Sequence, residues 1–455
     1  MELAGKKVLV YGAGKSGIGA CNLLTEAGAL PVLFDQKEGL TPADMLAGVS
    51  KPECVTACPG TVPEDILASL DFVVLSPGVP TDLPTVNELR GRGLPVIGEV
   101  ELAYEAGRGR VLAVTGTNGK TTTTALLGEI MKAAVPEVFV VGNIGNAYTG
   151  AALRTTENSV VVAEISSFQL ETIRSFRPEV SAILNITEDH LNRHHTMEEY
   201  IRVKELITMN QDKSCTCVLN YEDPVLREFG EKACPASVFW FSSARELDDV
   251  IWLDGSRIVL NRGGVNRVLA DVEELKLIGV HNYENVMAAA AMAFSAGVSP
   301  DVIADVVRTF KPVAHRIEYI DEKNGVIWYN DSKGTNPDAA IKGIEAMKRP
   351  TYLIAGGYDK KSDYSGWIRS FGGRVRKLLL EGATRYDIKK TALECGFPEE
   401  DIVMFGTMRE AMDYCRDHAE PGTAVLLSPA CASWGEFPNY EVRGEEFRNY
   451  VEKEI

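Results

Sequence analysis

"VTGTNGKTTT" occupies residues 114–123 and ends as a phosphate-binding loop ends, in Gly-Lys-Thr. The full loop pattern is G-x-x-x-x-G-K-[ST]. Counted back from Gly119, its first glycine belongs at position 114, where this chain has Val114. The glycine comes later, at Gly116, so a shorter loop must do the same work. The flanks support the phosphate reading. "RVLAVTG" (110–116) is an apolar strand running into the loop, and a helix opens after it. A strand, a glycine turn and a helix start bring backbone N–H groups and the positive helix end to one point, which suits an anion. In that frame Lys120 meets β- and γ-phosphates and the Thr121 hydroxyl sits on Mg²⁺. "VVVAE" (160–164) is a second apolar strand, and it ends in an acid, Glu164, suited to hold Mg²⁺ beside such a loop. Gly116, Thr117, Asn118, Gly119, Lys120, Thr121 and Thr122 form the candidate nucleotide set, although Thr122–Thr124 also read simply as helix N-terminal residues.

A second glycine loop lies upstream. Gly12-Ala13-Gly14-Lys15-Ser16-Gly17 is a G-x-G-x-x-G after the strand "KKVLVYG" (6–12), and Asp35 ends the next strand 18 residues beyond Gly17. On motif alone this is a dinucleotide fingerprint, with the acid on a ribose hydroxyl, and it favours an NAD(P)-dependent oxidoreductase. The plain alternative is a structural tight turn. The presence of both loops shifts the balance. Hydride transfer has no need of a γ-phosphate clamp, whereas a ligase with a nucleotide-linked substrate needs one diphosphate cradle for the substrate and another for ATP.

The rest of the chain is α/β throughout. At 455 residues, 45% hydrophobic and 24% charged, it suits about three globular domains. Apolar strand-like runs alternate with helical stretches, the pattern of parallel sheets. Residues 250–270 alternate differently and read as a small antiparallel excursion, and "HNYENVMAAAAMAF" (281–294) reads as helix. We place boundaries near 97 and 311, giving blocks 1–97, 98–311 and 312–455. A net charge of −17 argues against a nucleic-acid or anionic-membrane surface. No signal peptide, membrane span or zinc spacing is evident among the nine cysteines and the flanking sequence, so a cytoplasmic protein with reduced thiols is expected.

Further segments then occur in order: "GNIG" (142–145), "EISSFQL" (164–170), "NITEDHLNRH" (185–194), "HNYEN" (281–285), "HR" (315–316), "NDSKGTNPDA" (330–339) and "SPACASWGEF" (428–437). With "TGTNGKTTT" they resemble, over nearly the whole chain, the Mur ligases of bacterial peptidoglycan synthesis. "EISSFQL" and "SPACAS" are most specific to the member that adds D-glutamate. The resemblance implies three domains: a Rossmann-like UDP-binding domain, a central P-loop-type ATPase domain and a C-terminal Rossmann-like domain that binds the amino acid. It implies a monomer whose partners are UDP-N-acetylmuramoyl-L-alanine, D-glutamate and ATP, with no nucleic acid and no membrane insertion.

Carried over residue by residue, the UDP-substrate contacts fall on Gly14, Lys15, Ser16, Asp35, Gln36, Lys37, Ser76, Pro77 and Gly78, with Asn143 and His190 on the muramoyl-alanine part. ATP gains Asn282, Asn285, Arg316 and Asp331. Two Mg²⁺ are implied, held by Thr121, Glu164, Ser166, His190 and a carbamylated Lys204. D-Glutamate falls to Lys333, Thr335, Lys360, Ser433, Trp434 and Tyr440. Asp-Gln-Lys at 35–37 and Tyr440, where Phe is expected, depart from the family pattern, and Lys361 stands beside Lys360 as an alternative.

The implied chemistry joins a carboxylate to an amine through an acyl phosphate, with Lys120, Glu164, His190 and Lys204 catalytic. Glu164 and Ser166 lie two apart at a strand end, on one side of the chain, and Tyr200 and Lys204 share a helix face. Arg316 and Asp331 come from the third block, so ATP binding is expected to close that domain. Plainer readings stand beside these. The histidines 190, 194 and 195 form a polar loop cluster, Asn282 and Asn285 cap their helix, and Lys333 and Lys360 are solvated. A ligase adding another amino acid to a UDP-muramoyl peptide, or glutamate to a folate, is the nearest rival. A non-catalytic nucleotide switch is a third class, but it has no need of Glu164, His190 and Lys204 together.

Overall fold

The computed structural model describes residues 1–143, 146–311, 314–358 and 362–455. It builds three sheets. The first holds β1 (Lys7–Tyr11), β2 (Leu30–Asp35), β3 (Thr56–Pro59), β4 (Phe72–Leu75) and β5 (Val96–Gly98) in the order β3-β2-β1-β4-β5. Every pairing is parallel. The order reverses between β1 and β4, and a doubly wound sheet opens a ligand crevice at that point, outside the strand carboxyl ends.

The second sheet holds β6 (Arg110–Thr115), β7 (Val138–Gly142), β8 (Val160–Glu164), β9 (Val180–Ile183), β10 (Thr216–Asn220), β11 (Ser237–Ser242), β12 (Val250–Asp254), β13 (Arg257–Arg262) and β14 (Val265–Asp271). Its order is β14-β13-β12-β11-β10-β9-β6-β8-β7. The antiparallel excursion expected at 250–270 is present as β12, β13 and β14. Gly263 and Gly264 both have positive φ between β13 and β14, as a two-residue hairpin turn that follows strand twist requires.

The third sheet holds β15 (Glu318–Lys323), β16 (Val326–Asn330), β17 (Thr351–Gly357), β18 (Val375–Gly382), β19 (Ile402–Met404) and β20 (Ala424–Leu427), in the order β15-β16-β20-β17-β18-β19. Only the β15–β16 pairing is antiparallel among these strands.

The central strands are apolar without alternation because helices cover both sheet faces. Val8–Val10, Leu112–Val114 and Val161–Ala163 are accordingly inaccessible to solvent. The chain divides into two compact units, one of residues 1–271 with 284–307 and one of residues 272–283 with 308–455. The first two sheets lie in the former and the third in the latter. The Ala-rich segment is helix Val280–Ser295, and the division falls within it.

Candidate active site

In the second sheet β7, β8, β6 and β9 are consecutive neighbours and parallel. Their carboxyl ends therefore stand side by side, and each delivers candidate residues. Asn143 follows β7, Glu164 ends β8, the loop Gly116–Gly119 follows β6, and the turn 185–190 follows β9.

The β6 loop passes through two glycines with positive φ, Gly116 at 141° and Gly119 at 85°. Gly119 caps helix Lys120–Ala134 in the left-handed conformation, and a Cβ there would stand 2.1 Å from Asn285 Oδ1. Lys120 Nζ curls back to donate to the carbonyls of Gly116 (2.9 Å) and Thr117 (2.8 Å). Thr121 and Thr122 are buried in the first turn. The loop is braced from β9: Asn118 N donates to Asn185 Oδ1 (2.8 Å), Asn185 Nδ2 returns a bond to Asn118 O, and Thr187 N donates to Thr117 Oγ1.

Lys204 projects from helix Met197–Glu205 into this loop. Its side chain is buried, its Nζ donates to Gly116 O at 2.8 Å, and it lies 4.6 Å from the centre of the Tyr200 ring. The shared helix face is thus present. Burial, and then the Lys120 cation, push the Lys204 amine well below the usual lysine range, against a smaller opposing pull from Asp189. A buried ammonium beside another cation is disfavoured, so the neutral amine gains.

Glu164 is buried. Its Oε1 accepts from Asn143 Nδ2 at 3.1 Å, while Oε2 is buried without a hydrogen-bond partner among the described residues. A buried carboxylate oxygen left so is costly and suits a cation. Ser166 differs from expectation. The strand stops at Glu164, and Ser166 is the N-cap of the short helix Ser167–Leu170. Its hydroxyl accepts from Gln169 N and donates to Gln169 Oε1, so it is oriented by a capping box and keeps one lone pair for a cation. His190 sits in the left-handed region at φ 54°, half exposed, with its ring 4.9 Å from that of Phe168. Burial is the main cause that lowers its pKa, with Lys120 and Lys204 adding and Asp189 opposing. His194 departs from the polar-loop reading: it is buried, with Nε2 3.0 Å from Ser167 Oγ. His195 is exposed.

In the first sheet Gly14, Lys15 and Ser16 open helix Lys15–Glu26 after β1, and Ser76, Pro77 and Gly78 follow β4, at the crevice where the strand order reverses. Asp35 is bound to backbone: Oδ2 accepts from Ala13 N and Oδ1 from Lys37 N. Ser76 Oγ donates to Gly12 O. Both side chains therefore hold the loop in shape. A cavity of about 290 Å³ lies beside Gln36, walled by Phe34, Thr61, Val62, Thr85 and Arg92. Gln36 Nε2 donates to Thr85 Oγ1 at its edge.

In the second unit β16, β20 and β17 are neighbours and parallel. Asp331, Lys333 and Thr335 follow β16, and Ser433 and Trp434 follow β20. Lys360, and its alternative Lys361, lie outside the described residues. Asp331 is buried, accepting from Ser428 Oγ (2.7 Å) and Ile317 N (3.3 Å), and burial pushes its carboxyl up to about 7. Arg316 Nε is buried without a hydrogen-bond partner among the described residues. Lys333 Nζ stands 5.5 Å from the ring of Tyr440, which opens the helix Tyr440–Glu454. Ser433 is buried and Trp434 exposed. Asn282 and Asn285 are inside helix Val280–Ser295 and not at the position that precedes it. Asn282 Nδ2 donates to Ile278 O, and Asn285 Oδ1 accepts from Thr123 Oγ1.

Asn185, Asp189 and Arg443 were not singled out by sequence. The first two lie in the quoted segment "NITEDHLNRH", so proximity to a motif was their one signal. Arg443 is fully buried, and its guanidinium joins the two strand-end loops by donating to Ser332 Oγ, Ser332 O and Cys431 O. No one-dimensional pattern marks it.

Comparison with known proteins matches three sequence models in order: a Mur ligase MurD-like N-terminal domain at 6–98, the Mur ligase middle domain at 114–293, and the Mur ligase glutamate ligase domain at 315–431. The chain is 52% identical to the UDP-N-acetylmuramoylalanine--D-glutamate ligase of Lachnoclostridium phytofermentans, covering 99% of each chain. Ligases of the same name from Lachnospira eligens and Clostridioides difficile are 51% and 43% identical, again with 99% of each chain covered. Among solved structures, a pseudomurein peptide ligase type C from Methanothermus fervidus matches with a TM-score of 0.58 at 19% identity, covering 98% of this chain and 100% of that one. MurF from Acinetobacter baumannii matches at 0.59 and 17%, covering 93% and 90%. These two carry the fold. With relatives this similar along its whole length, the chain belongs to the Mur ligase family.

Proposed function

We propose that this chain is an ATP-dependent carboxylate–amine ligase that adds D-glutamate to UDP-N-acetylmuramoyl-L-alanine in peptidoglycan precursor synthesis. The observation that carries the reading is the presence of two distinct phosphate-type loops at parallel strand ends, Gly12–Gly17 and Gly116–Lys120, in a chain whose relatives at 43–52% identity bear that ligase name. An oxidoreductase needs only the first loop.

In this reading Gly14, Lys15, Ser16, Ser76, Pro77 and Gly78 cradle the UDP diphosphate, Asp35 and Lys37 flank it, and the cavity beside Gln36 takes the uridine end. Asn143 and His190 orient the muramoyl-alanine carboxylate. Gly116–Thr122, Asn282, Asn285, Arg316 and Asp331 serve ATP. Lys333, Thr335, Lys360, Ser433, Trp434 and Tyr440 serve D-glutamate, the two lysines answering its two carboxylates. The corresponding domains are 1–97, 98–311 and 312–455. The proposed acting unit is a monomer, and the proposed place is the cytoplasm, where ATP and UDP-linked precursors meet. No helix among the described residues is long and apolar enough to cross a membrane.

The chemistry follows from a poor leaving group. The substrate carboxylate attacks the γ-phosphorus, ADP departs, and the acyl phosphate forms. The amine nitrogen of D-glutamate then attacks the carbonyl carbon, loses a proton, and inorganic phosphate leaves. Both partners in the first step are anionic. Lys120 exchanges its two carbonyl acceptors for γ-phosphate oxygens, a stronger interaction as charge develops. When bound, Mg²⁺ supplies positive charge that offsets the same repulsion. Glu164 fits it through the unpartnered Oε2, with Thr121, Ser166 and His190 beside it. Among the described residues no three His, Cys, Asp or Glu stand close enough to hold a metal by themselves. Mg²⁺ characteristically takes few carboxylates and completes its shell with water and substrate phosphates. A carbamate on Lys204 adds a second anionic oxygen donor to that of Glu164.

Phosphate release tests the assignment. It should require ATP, Mg²⁺, UDP-N-acetylmuramoyl-L-alanine and D-glutamate together. Faster turnover with L-lysine, diaminopimelate or L-alanine than with D-glutamate would overturn it.

A further inference from the structure

Three strand-end loops meet at one nearly buried ion pair. Glu171 closes the short helix after β8, and Arg193 lies in the turn after β9. Their side chains are only 9% and 10% exposed. The contact is bidentate, Arg193 Nε to Glu171 Oε1 at 3.1 Å and Nη2 to Oε2 at 2.6 Å. The same Nη2 donates to the carbonyl of Val79 at 3.0 Å, and the Thr81 hydroxyl donates to Glu171 Oε2 at 3.4 Å. Val79 follows Ser76–Gly78 directly, on the first sheet. The guanidinium also lies 5.0 Å from the centre of the Phe168 ring, which in turn packs against His190.

We infer that the Glu171–Arg193 pair is a positioning strut, setting the span between the diphosphate-side loop of the first sheet and the His190 turn of the second. The inference rests on the ligase reading. A substrate anchored by its diphosphate after β1 and β4 must present a distant carboxylate at the loop after β6, so the relative placement of two sheets determines whether reacting atoms meet. A misplacement of about 1 Å there costs on the order of 100-fold in rate. Neither residue need touch a ligand. An arginine fork suits the task because it fixes direction as well as distance. The pair also differs from an ordinary surface bridge, because Arg193 left alone is a nearly buried unpaired charge, while Glu171 has His194 Nδ1 at 3.4 Å as a second neighbour.

Three proteins test this: wild type, Glu171→Gln, and the doubly neutral Glu171→Gln with Arg193→Gln. Titration calorimetry with UDP alone and with a non-hydrolysable ATP analogue reads each site separately. Thermal melting reads stability, and kcat reads placement. We expect both dissociation constants to stay within about twofold of wild type while kcat falls about tenfold or more in each variant. The double variant should recover much of the melting temperature lost in the single one, since no lone charge remains, and its kcat should stay low. Recovery of kcat along with stability would show that the pair serves folding only, and a loss of either binding step matching the loss of kcat would assign it to that site; both overturn the strut. Turnover is measured with whichever amino acid the wild type adds, so failure of D-glutamate addition by wild type counts against the ligase reading alone.

Discussion

Lys120 and Lys204 converge on one acceptor, the carbonyl of Gly116, at 2.9 and 2.8 Å. Two ammonium groups so placed repel, and the more buried of them yields its proton more readily. Lys120 opens its helix at the loop, so its removal leaves the core intact. Lys120→Ala should lower kcat by on the order of 10²-fold or more with little change in melting temperature, and a variant keeping half its activity would exclude this loop from γ-phosphate stabilisation. Lys204 makes a sharper case. The neutral amine favoured by its surroundings is the form that takes up CO₂. Lys204→Arg keeps a cation and a long stem but forms no stable carbamate, so it should be nearly inactive. Lys204→Ala should be partly rescued by small carboxylic acids that fill the gap. Wild type labelled with ¹³C-bicarbonate should show a carbamate carbon by NMR. An active arginine variant together with an unlabelled wild type would make Lys204 a plain cation.

The two glycine loops belong to the scale of the strand–turn–helix element, and different physics constrains them. At Gly119 the constraint is backbone conformation as well as space. At Gly17 it is space: a Cβ would stand 1.8 Å from the carbonyl oxygen of Gly12, backbone that cannot swing aside. Gly17→Ala must therefore shift the first turn of the helix away from β1. We expect UDP affinity to drop about tenfold or more, since a misplaced N-terminus loses its aligned N–H groups, while affinity for an ATP analogue is unchanged. Calorimetry with each nucleotide separates the two, and an equal loss for both would show that the damage spreads beyond the element. These loops were legible because glycine spacing between an apolar run and a helix records a conformation. The capping box that occupies Ser166 was not, since Ser-Ser-Phe-Gln reads equally as ligand and cap until the strand end is known.

Stability against pH is a property of the whole molecule, and here opposing groups contribute. Burial pushes the carboxyls of Glu99, Asp331 and Glu381 up to about 7. Each keeps its proton in the folded state after the unfolded chain has lost it. Their contribution is full below the ordinary carboxylate range and is lost as pH rises through about 7. Histidines whose values desolvation lowers, His281 down to about 3 among them, push the other way, favouring the folded state as pH rises toward the ordinary imidazole range. One variant isolates a share. Glu99 Oε1 accepts from Gln169 Nε2, and Oε2 is buried without a partner among the described residues. Glu99→Gln keeps an acceptor and removes the charge. It should gain on the order of 1–3 kcal/mol over wild type at pH 8, with the gain shrinking toward pH 5. Chemical denaturation at both pH values checks this, and an offset independent of pH would exclude ionisation of Glu99 as the cause.

By itself the sequence determined the local grammar of this protein. Apolar runs such as "VLV" and "VVVA" had to be strands buried on both faces, the glycine pairs had to be tight turns before helices, and the Lys204 helix had to place Tyr200 beside it. Those properties depend on neighbours within a few residues. The tertiary structure alone decided which ends meet. The ladder order β9-β6-β8-β7 gathers Asn143, Glu164, the Gly116 loop and His190 from four separated segments, and strand pairing between distant segments leaves no mark in either one read alone. It also decided how ambiguous side chains are used. Asp35 is bound to Ala13 N and Lys37 N, Ser166 caps a helix, and Glu171 meets Arg193 across 22 residues. A polar side chain pairs with whatever the fold brings within about 3 Å, and that partner is set by packing, not by the adjoining sequence.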